Sequence, residues 1–239
     1  MPTEKDQKTE KNHEGFVERS TRVLGLIDFR KITTPREIDD VQRLRFEAYT
    51  RENNVFSDKG LLRTDKYDNE PNTEIFGLYI DGRIASSVRL HRVTAETPQT
   101  PSNLYFPEFF MTRLAMGHRF LEATRFCAAS EFTAKYPSLH ILTLRVCFMA
   151  ALHYDMQFAL CSVRAEHSAF YRRYFEFRPV IVGKKVPTIS VPANLFVGDI
   201  EKSFGKVVQR LPFMNSTEEE RRALFDGAFQ ATRLRVVNG

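Results

Sequence analysis

Tryptophan is absent from this chain of 239 residues, and cysteine occurs only three times. Cys127, Cys147 and Cys161 are odd in number, lie in apolar surroundings and show no CxxC spacing, which predicts buried thiols in a reducing compartment. No apolar run reaches the roughly 20 residues that span a bilayer, and the N-terminus contains no apolar signal core. We therefore expect a soluble, cytoplasmic protein.

The signatures of several enzyme classes are also missing. The sequence contains no GxGxxG, GxxxxGK[ST], HExxH or GxSxG motif, so the usual dinucleotide, P-loop, zincin and serine-hydrolase arrangements have no support. The six histidines, at positions 13, 91, 118, 140, 153 and 167, show no metal-ligand spacing. We expect neither a bound metal nor a resident cofactor.

The composition that is present, 42% apolar and 27% charged, is typical of a folded globular domain. The net charge of +5 is unevenly placed, since residues 1–119 carry 19 basic and 19 acidic side chains whereas residues 120–239 carry 16 and 11. An acidic partner would therefore meet the second half of the chain. Basic residues form no long run, so we expect no nucleic-acid partner.

The order of local patterns predicts three segments. Residues 1–22 have few apolar side chains, which predicts a flexible N-terminal tail. Residues 23–200 alternate between strand and helix patterns, which predicts one α/β (α+β) domain with a central mixed sheet flanked by helices. Residues 201–239 are predicted to form a C-terminal amphipathic helical extension.

Several local signals within the domain are specific. Thr34-Pro35 is typical of a helix start, Asp81-Gly82 of a hairpin turn and Ser138 of a helix cap. Proline residues from Pro98 to Pro107 predict a loop. Strands are expected at about 25–32, on either side of the hairpin turn, and at 119–128, 158–164 and 177–182, and helices at about 34–53, 138–154 and 168–174.

A capping box formed by Thr217 and Glu220 predicts a helix in the extension. Leu224 and Phe225 lie on its apolar face. Two interpretations stay open for this helix: it packs on the domain core, or it covers an acyl site or a dimer partner.

Three charged residues lie inside elements that should be buried. Arg89 stands between Val88 and Leu90, and Glu122 and Arg125 lie within the strand around Phe120. A buried charge is costly unless it is paired, so each needs a partner. The group is either one structural ion-pair network or a site in which burial tunes a base.

The order and spacing of seven residues make the second interpretation specific. Four blocks, RFEAY, DKYD, SSVRL and EATR, resemble the framework of the acyl-homoserine lactone synthases, which are related to the GNAT acetyltransferases. The residues that carry this resemblance are Arg45, Tyr49, Asp65, Asp68, Arg89, Glu122 and Arg125. A later stretch from Ala169 to Pro179 is similar to the end of GNAT domains, with Tyr171 at the place of a tyrosine that protonates the departing thiolate, Phe175 in place of the usual glycine and one residue inserted. The resemblance implies a GNAT-like fold over about residues 25–185.

Two departures distinguish the branches of this superfamily. Lactone synthases usually carry a tryptophan that helps to enclose S-adenosylmethionine, whereas this chain has none. The EATRFC block is instead similar to the N-acyl amino acid synthases, including the N-acyltyrosine synthases, which join a fatty acyl chain from acyl carrier protein to an amino acid. No glycine lies between Arg125 and Ser138, so the backbone turn that binds the coenzyme A pyrophosphate in GNAT acetyltransferases is missing.

The resemblance implies a role for each residue. Glu122 would be the base, Arg125 and Arg89 would orient carboxylates or stabilise developing charge, and the acceptor pocket would be built by Arg45, Tyr49, Asp65 and Asp68. Glu122 and Arg125 would face opposite sides of a regular strand, so we predict a β-bulge between 122 and 126. An apolar tunnel for the acyl chain would draw on Phe126, Leu142, Val146, Phe148, Met149 and the segment 106–111.

The expected donor is an acyl acyl carrier protein that presents its chain on a phosphopantetheine arm. Bacterial carrier proteins are acidic, and residues 125–185 hold nine basic and four acidic side chains. The predicted docking residues are Arg172, Arg173, Lys184 and Lys185. Two other functions stay open: a lactone synthase that uses S-adenosylmethionine, and a non-catalytic acyl-binding module of GNAT-like fold.

Overall fold

The computed structural model describes residues 4–52, 63–186 and 192–227, with side chains described from Glu14 onward. Within these ranges, seven strands form one sheet in the order β1-β2-β3-β4-β5-β7-β6. The strands are β1 Asp28–Lys31, β2 Thr73–Ile80, β3 Arg83–Val93, β4 Phe120–Ala128, β5 Phe158–Val163, β6 Arg178–Lys184 and β7 Ala193–Asp199. The helices are α1 Glu4–Leu24, α2 Pro35–Arg51, α3 Pro101–Tyr105, α4 Pro107–Ala115, α5 Ser130–Lys135, α6 Leu139–His153, α7 Ser168–Phe175, α8 Ile200–Arg210 and α9 Glu218–Phe225.

The mixed sheet confirms the predicted fold class. Neighbouring strands are antiparallel except β4 and β5, which run parallel and are joined through α5 and α6. Helix α6 is buried from Leu139 to Ala151 except at His140, and packs on one face of the sheet. Helices α3 and α4 cover the other face beside β4 with Phe106, Phe109 and Phe110. Among the described residues, no helix is both long and apolar enough to cross a membrane.

The two strongest local signals in the sequence are confirmed. Helix α2 begins after Thr34, whose hydroxyl accepts a hydrogen bond from the backbone N–H of Glu37, while the Glu37 carboxylate accepts one from the backbone N–H of Thr34. The hairpin between β2 and β3 turns at Asp81 and Gly82, which both have positive φ, 50° and 74°. This pair of positive φ values matches the right-handed twist of the strands.

The tail expected over residues 1–22 is wrong for the part whose side chains are described. Helix α1 occupies this segment from Glu4, and its residues Phe16, Val17, Val23 and Leu24 pack against the main core. These residues share one face of a helix, together with the fully buried Ser20. The low apolar content of the whole segment obscured a short apolar face at its end.

The loop predicted from Pro98 to Pro107 is also wrong. Helix α3 begins after Thr100, with Pro101 at its first position, and α4 begins at Pro107. Threonine before proline is the same start signal as Thr34-Pro35, and the proline ring favours the first helical turn because its missing N–H is not needed there. Strand β7 was not predicted from the sequence, whereas α8, apart from its first residue, lies within the helical extension predicted over residues 201–239.

The described part of the C-terminal extension, which ends at residue 227, packs on the domain core, and this supports the first interpretation of its helix. The capping box of Thr217 and Glu220 is present at the start of α9. Phe225 is buried, with its ring 5.2 Å from that of Phe76. Arg145 of α6 donates hydrogen bonds to the extension, to the carbonyls of Phe213 and Asn215 at 2.8 and 2.6 Å and to the Glu220 carboxylate at 3.0 Å.

Glu176, which follows α7, has a left-handed backbone with φ of 60°. A glycine accepts this conformation without the steric cost that a Cβ atom brings. We expect Glu176→Gly to raise the free energy of unfolding by about 0.5–1 kcal/mol, as measured by urea denaturation. Glu176→Ala is the matched control because it removes the same ion pair with Arg210 but keeps a Cβ. Equal stability of the two variants would show that the backbone there is not strained.

Candidate active site

The parallel strands β4 and β5 separate at the centre of the sheet. Their pairing covers only three residues of each strand and stops at Glu122 and Leu160, although β4 continues to Ala128 and β5 to Val163. A gap therefore opens between the C-terminal halves of the two strands. Its walls are the residues that follow Glu122 in β4 and Leu160 in β5.

The bulge predicted in β4 is confirmed at this gap. Strand β3 pairs Ser87 with Cys127 and Arg89 with Thr124, so β4 has one residue more than β3 between these pairs. Arg125 lies in this interval and has a φ of 53°, which is rare for a residue with a Cβ atom. The extra residue lets Arg125 reach the face on which Arg89 lies.

Glu122 is on that same face. It lies opposite His91, and Thr124, two residues further along β4, lies opposite Arg89 and accepts a hydrogen bond from its Nε at 2.9 Å. The bulge therefore places Glu122, Thr124 and Arg125 on one side of the sheet. The geometric requirement for a shared site is met.

The Glu122 carboxyl is completely buried. Ser102 donates a hydrogen bond from Oγ to its Oε1 at 2.7 Å, and Thr100 donates one to its Oε2. Burial raises the pKa of Glu122 to about 7, against the opposing effect of hydrogen bonds from Ser102 and the positive charge of Arg89. A carboxyl group with this pKa can both accept and release a proton near neutrality.

A buried ion-pair network lies next to Glu122. Asp65 accepts from Arg89 Nη1 on Oδ1 at 2.5 Å and from Arg125 Nη2 on Oδ2 at 2.6 Å, and Asp68 accepts from Arg89 Nη1 at 2.9 Å and from Arg45 Nη1 at 2.7 Å. The three arginine side chains are at most 3% exposed. These guanidinium groups hold the pKa of both aspartates below their ordinary value, that of Asp65 far below, despite the opposing effect of burial. Three positive and two negative charges leave a surplus of one positive charge.

The network fixes the segment around Asp65 onto the sheet. Asp65 caps a 3-10 turn, Lys66–Asn69, by accepting a hydrogen bond from the backbone N–H of Tyr67. Tyr49 of α2 lies beside the network, with its ring centre 5.5 Å from the Arg125 guanidinium carbon. Burial and its neighbour Cys127 raise the pKa of Tyr49, so it stays neutral. The structure thus brings together all seven residues of the four sequence blocks. The ion-pair network and the buried base, which the sequence left as alternatives, are parts of the same cluster.

Sequence reasoning missed four polar residues that touch this cluster. Thr100, which precedes α3, and Ser102 of α3 both bind Glu122. Ser162 of β5 binds Ser102, and His91 of β3 is held between Thr73 and Thr124. Burial lowers the pKa of His91 to about 3, so its ring is neutral at physiological pH. The Thr100-Pro101 helix signal could have shown that Thr100 and Ser102 lie at a helix start.

A small apolar pocket, with a cavity volume of about 20 Å³, lies on the opposite face of the sheet, beneath the gap. Its lining comes from β4, β5, α6 and α7 and includes Leu121, Ala123, Phe148, Cys161, Tyr171 and Phe177. Of the residues proposed for an acyl tunnel, only Phe148 lines this pocket. Leu142, Val146 and Met149 are in the main core and the segment 106–111 lies on the other sheet face, while Phe126 is half-buried elsewhere.

Tyr171 lies in this pocket, on the face opposite Glu122. It is hydrogen-bonded to the Cys161 side chain, and burial raises its pKa well above the ordinary value. The glycine of the motif corresponds to Glu176 and not to Phe175, because Glu176 takes the left-handed conformation that suits a glycine. The extra residue therefore lies between Tyr171 and Glu176, which displaces Tyr171 along α7.

The predicted docking residues lie on the surface but differ in their exposure. Arg172, Arg173 and Lys185 are exposed, whereas Lys184 is half-buried and pairs with Glu108 at 3.1 Å. Two other members of the nine basic residues, Arg125 and Arg145, are buried in ion pairs, so that count overstates the basic surface. Within the described ranges, no three His, Cys, Asp or Glu side chains are placed to hold a metal ion.

The mixed sheet, the separation of β4 from β5 and the bulge with its buried glutamate define a protein of the GNAT N-acyltransferase fold. A family model described as N-acyl amino acid synthase FeeM matches residues 40–199. Because this match covers more than half of the chain, the protein belongs to the FeeM family of N-acyl amino acid synthases and is an acyltransferase.

Solved structures of low sequence identity share this fold. FeeM, an N-acyl amino acid synthase from uncultured soil microbes, is 16% identical, with a TM-score of 0.65 over 79% of this chain and 98% of its own. LasI, an AHL synthase, is 14% identical, with a TM-score of 0.59 over 80% of this chain and 96% of its own. BjaI, a CoA-dependent acyl-homoserine lactone synthase, is 15% identical, with a TM-score of 0.56 over 83% and 90%. No curated protein sequence matches this chain significantly.

Proposed function

We propose that this enzyme transfers a long fatty acyl chain from acyl carrier protein to the α-amine of an amino acid. The observation that carries the proposal is the position of Glu122, a buried carboxyl with a pKa of about 7 at the point where β4 and β5 separate. A thioester in this gap would lie between a base on one sheet face and an apolar pocket on the other. The reaction would take place in the cytoplasm.

In the proposed reaction the amine nitrogen attacks the thioester carbonyl carbon, and the carbon–sulfur bond breaks. The nitrogen loses a proton to Glu122, and the thiolate that leaves gains one. The donors of Arg89 already bind Asp65, Asp68 and Thr124, so Arg89 would act through its positive charge and by holding these groups. Arg125 would do the same through Asp65.

The surplus positive charge of the network supports an acceptor that carries a carboxylate. Arg45 is 1% exposed, and its Nε and Nη2 have no hydrogen-bond partner within the described part of the chain. An arginine can bind a carboxylate with two parallel hydrogen bonds. We propose that Arg45 binds the amino acid carboxylate, and that Tyr49, Asp65 and Asp68 build the acceptor pocket around it and hold its loop.

The turn after β4 supports a carrier protein as donor. Only Ala129 separates β4 from α5, and no glycine occurs from Phe126 to Ser138. A pyrophosphate is usually bound by a glycine-rich turn at a helix N-terminus, so coenzyme A lacks its usual site. The phosphopantetheine arm of a carrier protein needs no such turn, and the carrier would contact Arg172, Arg173, Lys184 and Lys185 instead.

The assay that tests this function offers the purified protein a long-chain acyl carrier protein or the matching acyl-CoA, with tyrosine, other amino acids or S-adenosylmethionine. We expect mass spectrometry to show an N-acyl amino acid made mainly from the carrier protein. Reversing two exposed charges, Arg172→Glu with Lys185→Glu, is expected to raise KM for the carrier protein about 10-fold and to leave KM for acyl-CoA unchanged. A lactone product, a preference for acyl-CoA, or no product with any pair would each contradict the proposal.

A further inference from the structure

The Glu122 carboxyl has no solvent-exposed surface, so it cannot exchange a proton directly with water or with a substrate in the gap. The start of α3 covers it with Ser102 and with Thr100, the residue before the helix, which are 0% and 2% exposed. A base that is enclosed in this way needs a path for the proton. The side chains around it therefore decide how it can act.

One chain of hydrogen bonds leads outward from Glu122. Ser102 Oγ lies 2.7 Å from Glu122 Oε1 and 2.8 Å from Ser162 Oγ. The Ser102 hydroxyl donates to the carboxylate, which leaves its oxygen to accept a hydrogen bond from the Ser162 hydroxyl. The remaining lone pair of Ser162 is then available to a third group.

Ser162 is placed where this third group would be the substrate. It lies in β5 two residues beyond Leu160, the last residue that pairs with β4, and it is only half-buried. Its side chain is on the same sheet face as Glu122, because it reaches Ser102. The chain of hydroxyl groups thus connects the enclosed carboxylate to the wall of the gap.

We propose that Ser102 and Ser162 form a proton relay between the acceptor amine and Glu122. This inference rests on the proposed function and adds two proton-transferring residues to it. The amine, directly or through one water molecule, gives a proton to Ser162 Oγ, Ser162 passes its own proton to Ser102 Oγ, and Ser102 passes its own to Glu122 Oε1. Each serine gains one proton and loses one, so the net change is one proton from nitrogen to carboxylate.

Thr100 provides an internal contrast. It donates to the other oxygen of Glu122, Oε2, and lies outside the Ser102–Ser162 chain. Its loss would remove one hydrogen bond from the ionised form and raise the pKa of Glu122 without interrupting the relay. Loss of the Ser162 hydroxyl would interrupt the relay and leave the pKa of Glu122 unchanged, because Ser162 does not touch the carboxylate.

The test compares Ser162→Thr with Ser162→Val, which have the same shape and differ only in the hydroxyl group. Acylation of the amine is followed as a function of pH with the full-length protein. We expect Ser162→Thr to stay within about 3-fold of the wild type, and Ser162→Val to lower the plateau of kcat by about 10- to 100-fold with an unchanged pH midpoint. Thr100→Val should move the midpoint upward and keep the plateau, and Ser102→Ala should change both.

Ser203→Ala, which removes a buried serine of α8 that donates to the Asp199 carbonyl, controls for loss of a buried hydroxyl. Equal plateaus for Ser162→Thr and Ser162→Val, with an active wild type, would overturn the relay and leave the proposed function in place. A wild type that acylates no amine would overturn the proposed function itself. Infrared titration of the Glu122 carboxyl band tests the Ser102 contact without turnover. Ser102→Ala should raise the pH midpoint of this band, because the ionised carboxylate loses a hydrogen bond. An unchanged midpoint would contradict the contact.

Discussion

Glu122→Gln is expected to lower kcat for amine acylation by about 10²- to 10⁴-fold, the usual contribution of a general base. Glutamine keeps the shape of the side chain but cannot take up a proton. The variant should remain folded, since Thr100 and Ser102 can still hydrogen-bond to its amide. The measurement is the initial rate of N-acyl amino acid formation at saturating substrates, with circular dichroism as the check on folding.

In the wild type, the same reaction should become faster as pH rises from 5 to 8, with a midpoint near 7. The active form of Glu122 is the ionised one, and burial raises its pKa to about 7. The neighbouring groups do not titrate in this range, because the pKa of His91 is lowered to about 3, that of Tyr67 is raised to about 12 and that of Cys161 is raised well above 9. A flat rate between pH 5 and 8 would exclude Glu122 as the base.

Stability should change in the opposite direction to activity. A carboxyl whose pKa is raised from 4.5 to about 7 binds its proton more tightly in the folded state, so the folded state loses stability as pH rises through this interval. The full difference corresponds to about 3 kcal/mol at pH 8. Glu122→Gln should therefore be more stable than the wild type at pH 8 and equally stable at pH 4, as measured by urea denaturation.

Asp65→Ala is the second large expected effect, a loss of about 3–5 kcal/mol in the free energy of unfolding. Asp65 pairs with Arg89 and Arg125, whose side chains are 1% and 3% exposed, so the substitution leaves two buried guanidinium groups short of an anion. The control is Asp28→Ala, which breaks a pair with Arg30 whose members are 40% and 38% exposed. Such an exposed pair contributes about 0–1 kcal/mol.

The pH dependence of Asp65 has the opposite sign to that of Glu122. Its arginine partners hold the pKa of Asp65 far below the ordinary 3.8, so its contribution is complete above that value and is lost as pH falls further. The wild type should lose stability below about pH 4, and Asp65→Ala should lose less over the same interval. Parallel acid-denaturation curves for the two proteins would contradict this assignment.

Sequence reasoning predicted the parts of this site that depend on order along one strand. The charged residues at 89, 122 and 125 are unusual inside apolar strands, and their spacing already required the bulge that β4 contains. Neighbouring elements with strong local signals, such as Thr34-Pro35 and Asp81-Gly82, were located for the same reason. These features are set by interactions a few residues apart.

The features of the site that the sequence did not predict depend on contacts between residues far apart in the sequence. Ser102 and Ser162 are 60 residues apart in the sequence and meet only because α3 packs on the sheet. Tyr171 fits a motif by spacing, but α7 packs on the sheet face opposite Glu122, where Tyr171 lines the apolar pocket. No local sequence pattern distinguishes a serine that belongs to a chain of hydrogen bonds from any other buried serine.

Helix α6 has a consequence for where the protein can be divided. Its outer side is covered by α1, by α9 and by the turn Pro212–Met214, with Phe16 against Phe213 at 6.3 Å, and Arg145 finds all its main-chain and carboxylate partners in that layer. The family match at residues 40–199 contains none of these covering segments. The segment that matches the family is therefore smaller than the unit that folds. A fragment of residues 40–199 would expose the apolar helix α6 and, with it, the side chain of Arg145, which is buried in the whole protein.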